Sequence, residues 1–222
     1  MDTVKTIQFS QVVADRLIDL DAEGLREAVS DGDALVCGKA LVDVELVYED
    51  ILEATFDTVL FRSCVFEAVD FSRCTFRNVR FEECRFIRCE AERSWFSRCD
   101  LVSCSAPGFN MLGSRLDRVL FREVDLSYAN MSEVKATQVL MRGSRLAEAA
   151  ICDARLGHVA LDDCDLYRID IRGTKLSGID LSSCRFEAPV LTEGYRELSG
   201  AIVSAQQALD LSALLGIVIA DD

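Results

Sequence analysis

The chain has one histidine and no Cys-x-x-Cys pair, so the usual nitrogen and sulfur spacings of a zinc site are missing. No Gly-rich phosphate loop follows a strand pattern. His158 has no serine or cysteine partner by spacing, and hydroxyls such as Ser72, Ser97 and Ser182 fall at outward positions with no pocket around them. These gaps lead us to expect no enzyme, no cofactor and no metal. No apolar stretch approaches the ~20 residues that span a bilayer. The start, Met1-Asp2-Thr3, lacks a basic region followed by an apolar run. The expectation is a soluble, cytoplasmic protein that does not engage a membrane.

What the chain does have is a beat. From Leu41 to Leu191 every fifth residue is apolar, and seven of these in succession are phenylalanine: Phe56, Phe61, Phe66, Phe71, Phe76, Phe81 and Phe86. With about half of all residues apolar, chance would produce such a run with a probability on the order of one in a billion. Two residues before each beat lies a second column of small or β-branched groups, among them Val59, Cys64, Val119, Ala129 and Cys164. A period of five matches neither the helical 3.6 nor the strand period of 2. It suits a solenoid, whose short extended segments alternate with tight corners and whose stacked coils bury one continuous core. Eight of the ten cysteines stand in the small column, where a reduced thiol serves as a small apolar side chain. Stacking would bring Cys64, Cys84 and Cys104 to roughly 4.8 Å, yet parallel side chains give poor disulfide geometry. All ten are expected to be reduced.

Units such as Val69-Asp70-Phe71-Ser72-Arg73, Ala129-Asn130-Met131-Ser132-Glu133 and Cys164-Asp165-Leu166-Tyr167-Arg168 resemble the pentapeptide-repeat pattern of small residue, Asp or Asn, large apolar residue and two variable ones. The resemblance implies an all-β solenoid, a right-handed quadrilateral β-helix with four units per coil. About eight coils then make a rod somewhat under 40 Å long at the strand spacing of roughly 4.8 Å. We read residues 1–40 as an N-terminal cap or arm, 41–191 as the β-helix, and 192–222 as a C-terminal capping and dimerisation segment. In the first part, Ile7–Ser10 is expected as a short strand and Asp21 as the N-cap of a short helix. In the last, Ser204–Gln207 opens a capping box, Gly216 stops the helix, and Ile217–Ile219 is expected as a strand.

The formal charge is −14, but it is not spread evenly. Residues 61–190 carry 19 acids and 19 bases, so the excess of acid lies at the two ends. If positions 20 apart stack on one face, one of the four faces is basic. It carries the vertical run Arg115, Lys135, Arg155 and Lys175, with Arg77, Arg98 and Arg118 nearby. Like charges on adjacent strands destabilise. Either Glu133 and Asp153 at the preceding corner relieve the run, or it is a stripe that binds an anionic partner. Trp95 and Phe109, next to Pro107-Gly108, mark either an exposed aromatic patch or a bulge in the repeat.

The C-terminal segment is similar to that of the quinolone-resistance pentapeptide proteins and their relatives. This implies a homodimer through Leu211, Leu214, Leu215, Ile217, Val218 and Ile219. It also implies a possible DNA mimic that occupies DNA gyrase or topoisomerase IV, type II topoisomerases, without binding nucleic acid directly. The alternative is a protein-interaction scaffold that uses its basic face or its acidic N-terminal arm.

Overall fold

A computed structural model describes residues 9–30 and 34–218. Nearly every structural feature follows from a corner placed at every fifth residue. From Gly38 to Gly178 each such residue has a left-handed φ between 50° and 78°, and most of them are not glycine. Left-handed backbone is costly for an L-residue, so it persists only where surrounding structure holds it in place. The hold is a ladder: the corner N–H donates to the carbonyl 19 residues later, as from Asp43 to Arg62, Tyr128 to Ala147 and Asp153 to Arg172, at 2.9–3.0 Å.

Four corners make a coil, and parallel partners fall 20 residues apart. The strands β1 (Ile18–Asp19), β2 (Leu35–Cys37), β3 (Lys39–Val42), β5 (Thr55–Arg62), β7 (Thr75–Glu82), β9 (Trp95–Val102), β10 (Arg115–Arg122), β11 (Lys135–Arg142) and β12 (Arg155–Asp162) form one parallel sheet that bends over a corner. A third face carries β4 (Glu45–Val47), β6 (Val65–Glu67) and β8 (Arg85–Ile87). The fourth is joined by single bridges such as Asp70↔Glu90 and Asn110↔Asn130. The result is the expected parallel β-solenoid, four-sided and of about seven turns.

On the turn-like faces, an Asp or Asn one residue before the beat accepts the backbone N–H two residues later. Asp70 does so from Ser72, Asn110 from Leu112, Asn130 from Ser132 and Asp165 from Tyr167, at 2.8–3.2 Å. This Asx turn is what Asp or Asn contributes to the repeat. The extended faces have no such turn, and there the same position is free for Thr55, Arg115 or Leu120.

The large column is the core. Phe56, Phe76 and Phe96 stack along the axis at 5.2 and 4.7 Å, Phe61 and Phe81 at 4.9 Å, and neighbours within a coil meet edge-on, as Phe61 and Phe66 do at 5.6 Å. Both geometries are favoured by the ring quadrupole. The cysteines are free. Their thiols do more than fill space, because each in the small column from Cys64 to Cys164 donates to the carbonyl 23 residues earlier, such as Cys74 to Ile51 and Cys89 to Phe66. Ser94 and Ser114 use the equivalent acceptors, Phe71 O at 2.7 Å and Ala91 O at 2.8 Å.

The coil register starts before Leu41. Val36 lies on the same beat, is buried, and sits in β2 opposite Phe56. Ahead of it, α1 (Ala22–Val29), N-capped by Asp21, inserts Leu25 into the end of the core. Ile7 and Gln8 lie outside the described residues, and Phe9–Ser10 form no strand. Instead Ser10 lies on the solenoid wall, where Asp100 accepts from its N–H at 3.0 Å and its hydroxyl at 2.6 Å. At the far end α2 (Ala205–Ser212) has the capping box. Gln207 also donates to the carbonyls of Leu181 at 2.9 Å and Cys184 at 2.8 Å, closing the last coil. Ile217 and Val218 are exposed and form no strand, because they find no edge to pair with among the described residues. Ile219 and the Leu215 side chain lie outside the described residues.

No helix among the described residues is long and apolar enough to cross a membrane.

Candidate anion-binding face

The basic face is built by β9 to β12. Register pairs Trp95 with Arg115, Arg115 with Lys135, and Lys135 with Arg155. Lys175 follows 20 residues on, one residue before the buried Leu176. Because these residues alternate with inward ones, all five side chains point out of the wall and are exposed. From Arg115 to Arg155 neighbouring cations therefore stand on paired strands roughly 4.8 Å apart.

Elsewhere on the wall several arginines are neutralised by carboxylates one coil away: Arg62 by Glu82 at 2.7 Å, Arg73 by Glu53 at 2.7 Å, Arg142 by Asp162 at 2.8 Å. Two residues of the expected stripe are also neutralised, Arg77 by Asp57 one coil away at 3.2 Å and Arg118 by the adjacent Asp117 at 2.7 Å. Among the described residues, Arg115, Lys135, Arg155 and Lys175 make no ion pair. The relief expected from Glu133 and Asp153 does not form. Both are corner residues with left-handed φ, so the chain turns between each carboxylate and the cation that follows it. Asp153 instead lies against Gly173 of the next coil, where an added Cβ would meet its carboxylate oxygen. Arg98 leaves its Nε buried and unpartnered.

The aromatic patch is corrected. Trp95 is 37% exposed at the head of the cation column, but Phe109 is buried and on a different face. Ala106 occupies the beat directly after Phe86 in its column and leaves room above that ring. Phe109 reaches in from the small column and fills it, its ring 5.1 Å from that of Phe86. Nor is there a bulge: the bridges Ser105↔Asp125 and Asn110↔Asn130 keep the 20-residue register.

Among the described residues no three His, Cys, Asp or Glu side chains gather as a metal site. Burial pushes the thiols of Cys74 and Cys99 up to about 12, so neither supplies a thiolate near neutral pH. One feature of the wall had no signal in the five-residue phase. Strand pairing stops after β12, although the beat continues through Leu176 and Leu181.

Residues 74–151 match a family model described as a pentapeptide repeat region, and residues 153–187 a model of pentapeptide repeats in eight copies. Among solved structures, trypsin-treated QnrB1, a plasmid-mediated fluoroquinolone resistance protein, is 18% identical with a TM-score of 0.58, over 92% of this chain and 97% of that one. HetL, a pentapeptide-repeat protein involved in heterocyst differentiation regulation from the cyanobacterium Nostoc sp. strain PCC 7120, is 20% identical with a TM-score of 0.49, over 82% of this chain and 92% of that one. No curated protein matches the sequence. With two family models covering just over half of the residues and a coil register of 20 throughout that region, the chain belongs to the pentapeptide-repeat family.

Proposed function

We propose that the protein is a non-catalytic, protein-interaction solenoid that engages an acidic partner along Arg115, Lys135, Arg155 and Lys175. The observation that carries this reading is the alignment: four exposed cations fall one above another at 20-residue spacing, none of them paired with a carboxylate among the described residues, whereas Arg62, Arg73 and Arg142 each meet a carboxylate one coil away. Like charges on adjacent strands are a standing cost that an acidic partner removes. The test uses a biotinylated polyglutamate peptide as probe. Binding that weakens with salt and is lost when all four residues are changed to Glu supports the reading. Equal binding by the variant makes the column inert surface.

A second reading follows from the fold shared with QnrB1 along nearly the whole of both chains. In it the partner is a type II topoisomerase, engaged by DNA mimicry in the cytoplasm, and the protein is a homodimer joined through Leu211, Leu214, Ile217 and Val218. The neutral body and the unpaired cations weigh against mimicry on the basic face. Purified protein that neither alters supercoiling by gyrase nor relieves its inhibition by a fluoroquinolone would remove this reading.

A further inference from the structure

On the face built by β9 to β12 the strand ladder stops after β12. From Glu123 to Asp153 the corners at Glu123, Tyr128, Glu133, Gly143, Glu148 and Asp153 donate to the backbone carbonyl 19 residues on. Three of the next four do not. Among the described residues His158 has no such bond, Asp163 donates to the Ser183 hydroxyl, and Gly173 donates to the Glu197 carboxylate. Likewise Arg155 N–H reaches Val134 O at 2.9 Å, whereas Lys175 N–H has no equivalent bond to Ala154. The coils are nevertheless joined on both sides of the gap, by Asp153 N–H to Arg172 O at 2.9 Å and by Leu166 N–H to Arg185 O at 2.8 Å. The gap is therefore a slit between β12 and residues 174–181, not a frayed end.

Three further observations describe the slit. Its inward residues Leu156, Val159 and Leu161 are only partly buried, while their equivalents one coil earlier, Ala136, Val139 and Met141, are at most 4% exposed. At its mouth, between Asp153–Leu156 and Gly173–Lys175, is an open space of about 440 Å³. That lies within the range of ~300–1,000 Å³ typical of small-molecule sites. Behind it the core holds an apolar cavity of about 40 Å³, and Leu156 lines both spaces. The mouth carries the unpaired cations Arg155 and Lys175, together with the one carboxylate of Asp153, which is turned onto Gly173. Lys175 N–H, which has no hydrogen-bond partner among the described residues, adds a donor beside the cations.

We propose that this slit is a binding site for a small amphipathic carboxylate, its head held by Arg155 and Lys175 and its apolar tail laid against Leu156, Val159 and Leu161. A cationic rim on an apolar lining selects for both ends of such a molecule: a short polar anion leaves the apolar wall uncovered, and an uncharged tail leaves the cations unpaired. The site goes beyond the acidic protein partner and shares only Arg155 and Lys175 with it.

The test is calorimetric titration of the full chain with octanoate, compared with acetate and octanol. The expected result is saturable octanoate binding at one site, at least about tenfold tighter than either control. Arg155→Gln/Lys175→Gln should weaken it at least tenfold, and Leu156→Trp, which fills the slit, should abolish it. Arg115→Glu/Lys135→Glu should leave octanoate binding unchanged while removing polyglutamate binding, so the two proposals fail separately. No octanoate binding at millimolar concentration, or binding that survives both Arg155→Gln/Lys175→Gln and Leu156→Trp in variants whose thermal melts show them folded, would overturn the site.

Discussion

Exchanging Ala106 and Phe109 tests whether the core is specified by columns or only by total volume. Phe109 is 3% exposed and Ala106 fully buried, and the Phe109 ring occupies the place over Phe86 that a phenylalanine at 106 would fill. Phe109→Ala removes that ring and leaves a cavity, at a cost of about 3–5 kcal/mol. Ala106→Phe alone puts a second ring where one already lies, and overpacking of this kind costs about 1–3 kcal/mol. If the sites were independent the double variant would lose about 4–8 kcal/mol. Because the exchange restores one ring over Phe86 and a small residue at 109, as at Ala129 and Ala149, the double variant should lie within about 1.5 kcal/mol of the parent. At ~2–4 °C per kcal/mol for a chain of this size, Phe109→Ala should melt about 6–20 °C lower and the double variant near the parent. Circular dichroism melts of the four proteins in the cycle measure the coupling directly. A double variant as unstable as the sum of the singles refutes the claim that Phe109 replaces a ring missing from the column.

The cation column makes the opposite prediction for stability. Lys135→Glu converts two like-charge neighbours, Arg115 and Arg155, into opposite-charge neighbours, so the variant should melt higher than the parent at low salt. The gain should disappear near 1 M salt, where the Debye length is about 3 Å. A lower melting temperature at low salt would show that the column is already compensated. For the cysteines, maleimide labelling of the native protein should modify exposed Cys37 fast and half-buried Cys152 slowly, leaving the other eight until the chain is unfolded. Rapid labelling of Cys74 or Cys99, whose burial raises them to about 12, would contradict the packing of the small column.

The five-residue phase made the core legible because both columns face inward at every coil, whatever occupies the outward positions. It could not report which faces are extended and which are turns. That distinction is nevertheless written one residue before the beat, where Asp70, Asn110, Asn130 and Asp165 accept a local N–H and Thr55, Arg115 and Leu120 do not. Phe109 was misplaced because its column normally holds a small residue; the signal was the coincident loss of bulk at Ala106. The start of the coils at Leu35 was hidden because a single beat at Val36 is not a period. Of the basic stripe, the four residues in one column could be read from spacing. Pairing could not, since Arg77 and Arg118 are neutralised by Asp57 and Asp117 while Glu133 and Asp153 turn away from the cations they precede.

The two candidate sites fall in the same half of the rod, and the core accounts for this. Stacked rings from Phe56 to Phe96 lock the first coils along the axis and across it at once. Beyond Phe121 the beat passes to Leu126, Met131, Ala136 and Met141, side chains of lower or more pliable bulk, and a cavity opens. In a solenoid each coil touches only its neighbours, so a wall can loosen locally without releasing the aromatic half. The cation column occupies this pliable half, from Arg115 to Lys175. A ligand that seals the slit between Arg155 and Lys175 would restore contact between the last coils, and it would remove two of the four charges presented to an acidic partner. Small-anion binding and partner binding are then competitive for Arg155 and Lys175, and saturating octanoate should weaken polyglutamate binding by roughly the amount that Arg155→Gln/Lys175→Gln does, because linkage between two ligands at shared residues is reciprocal.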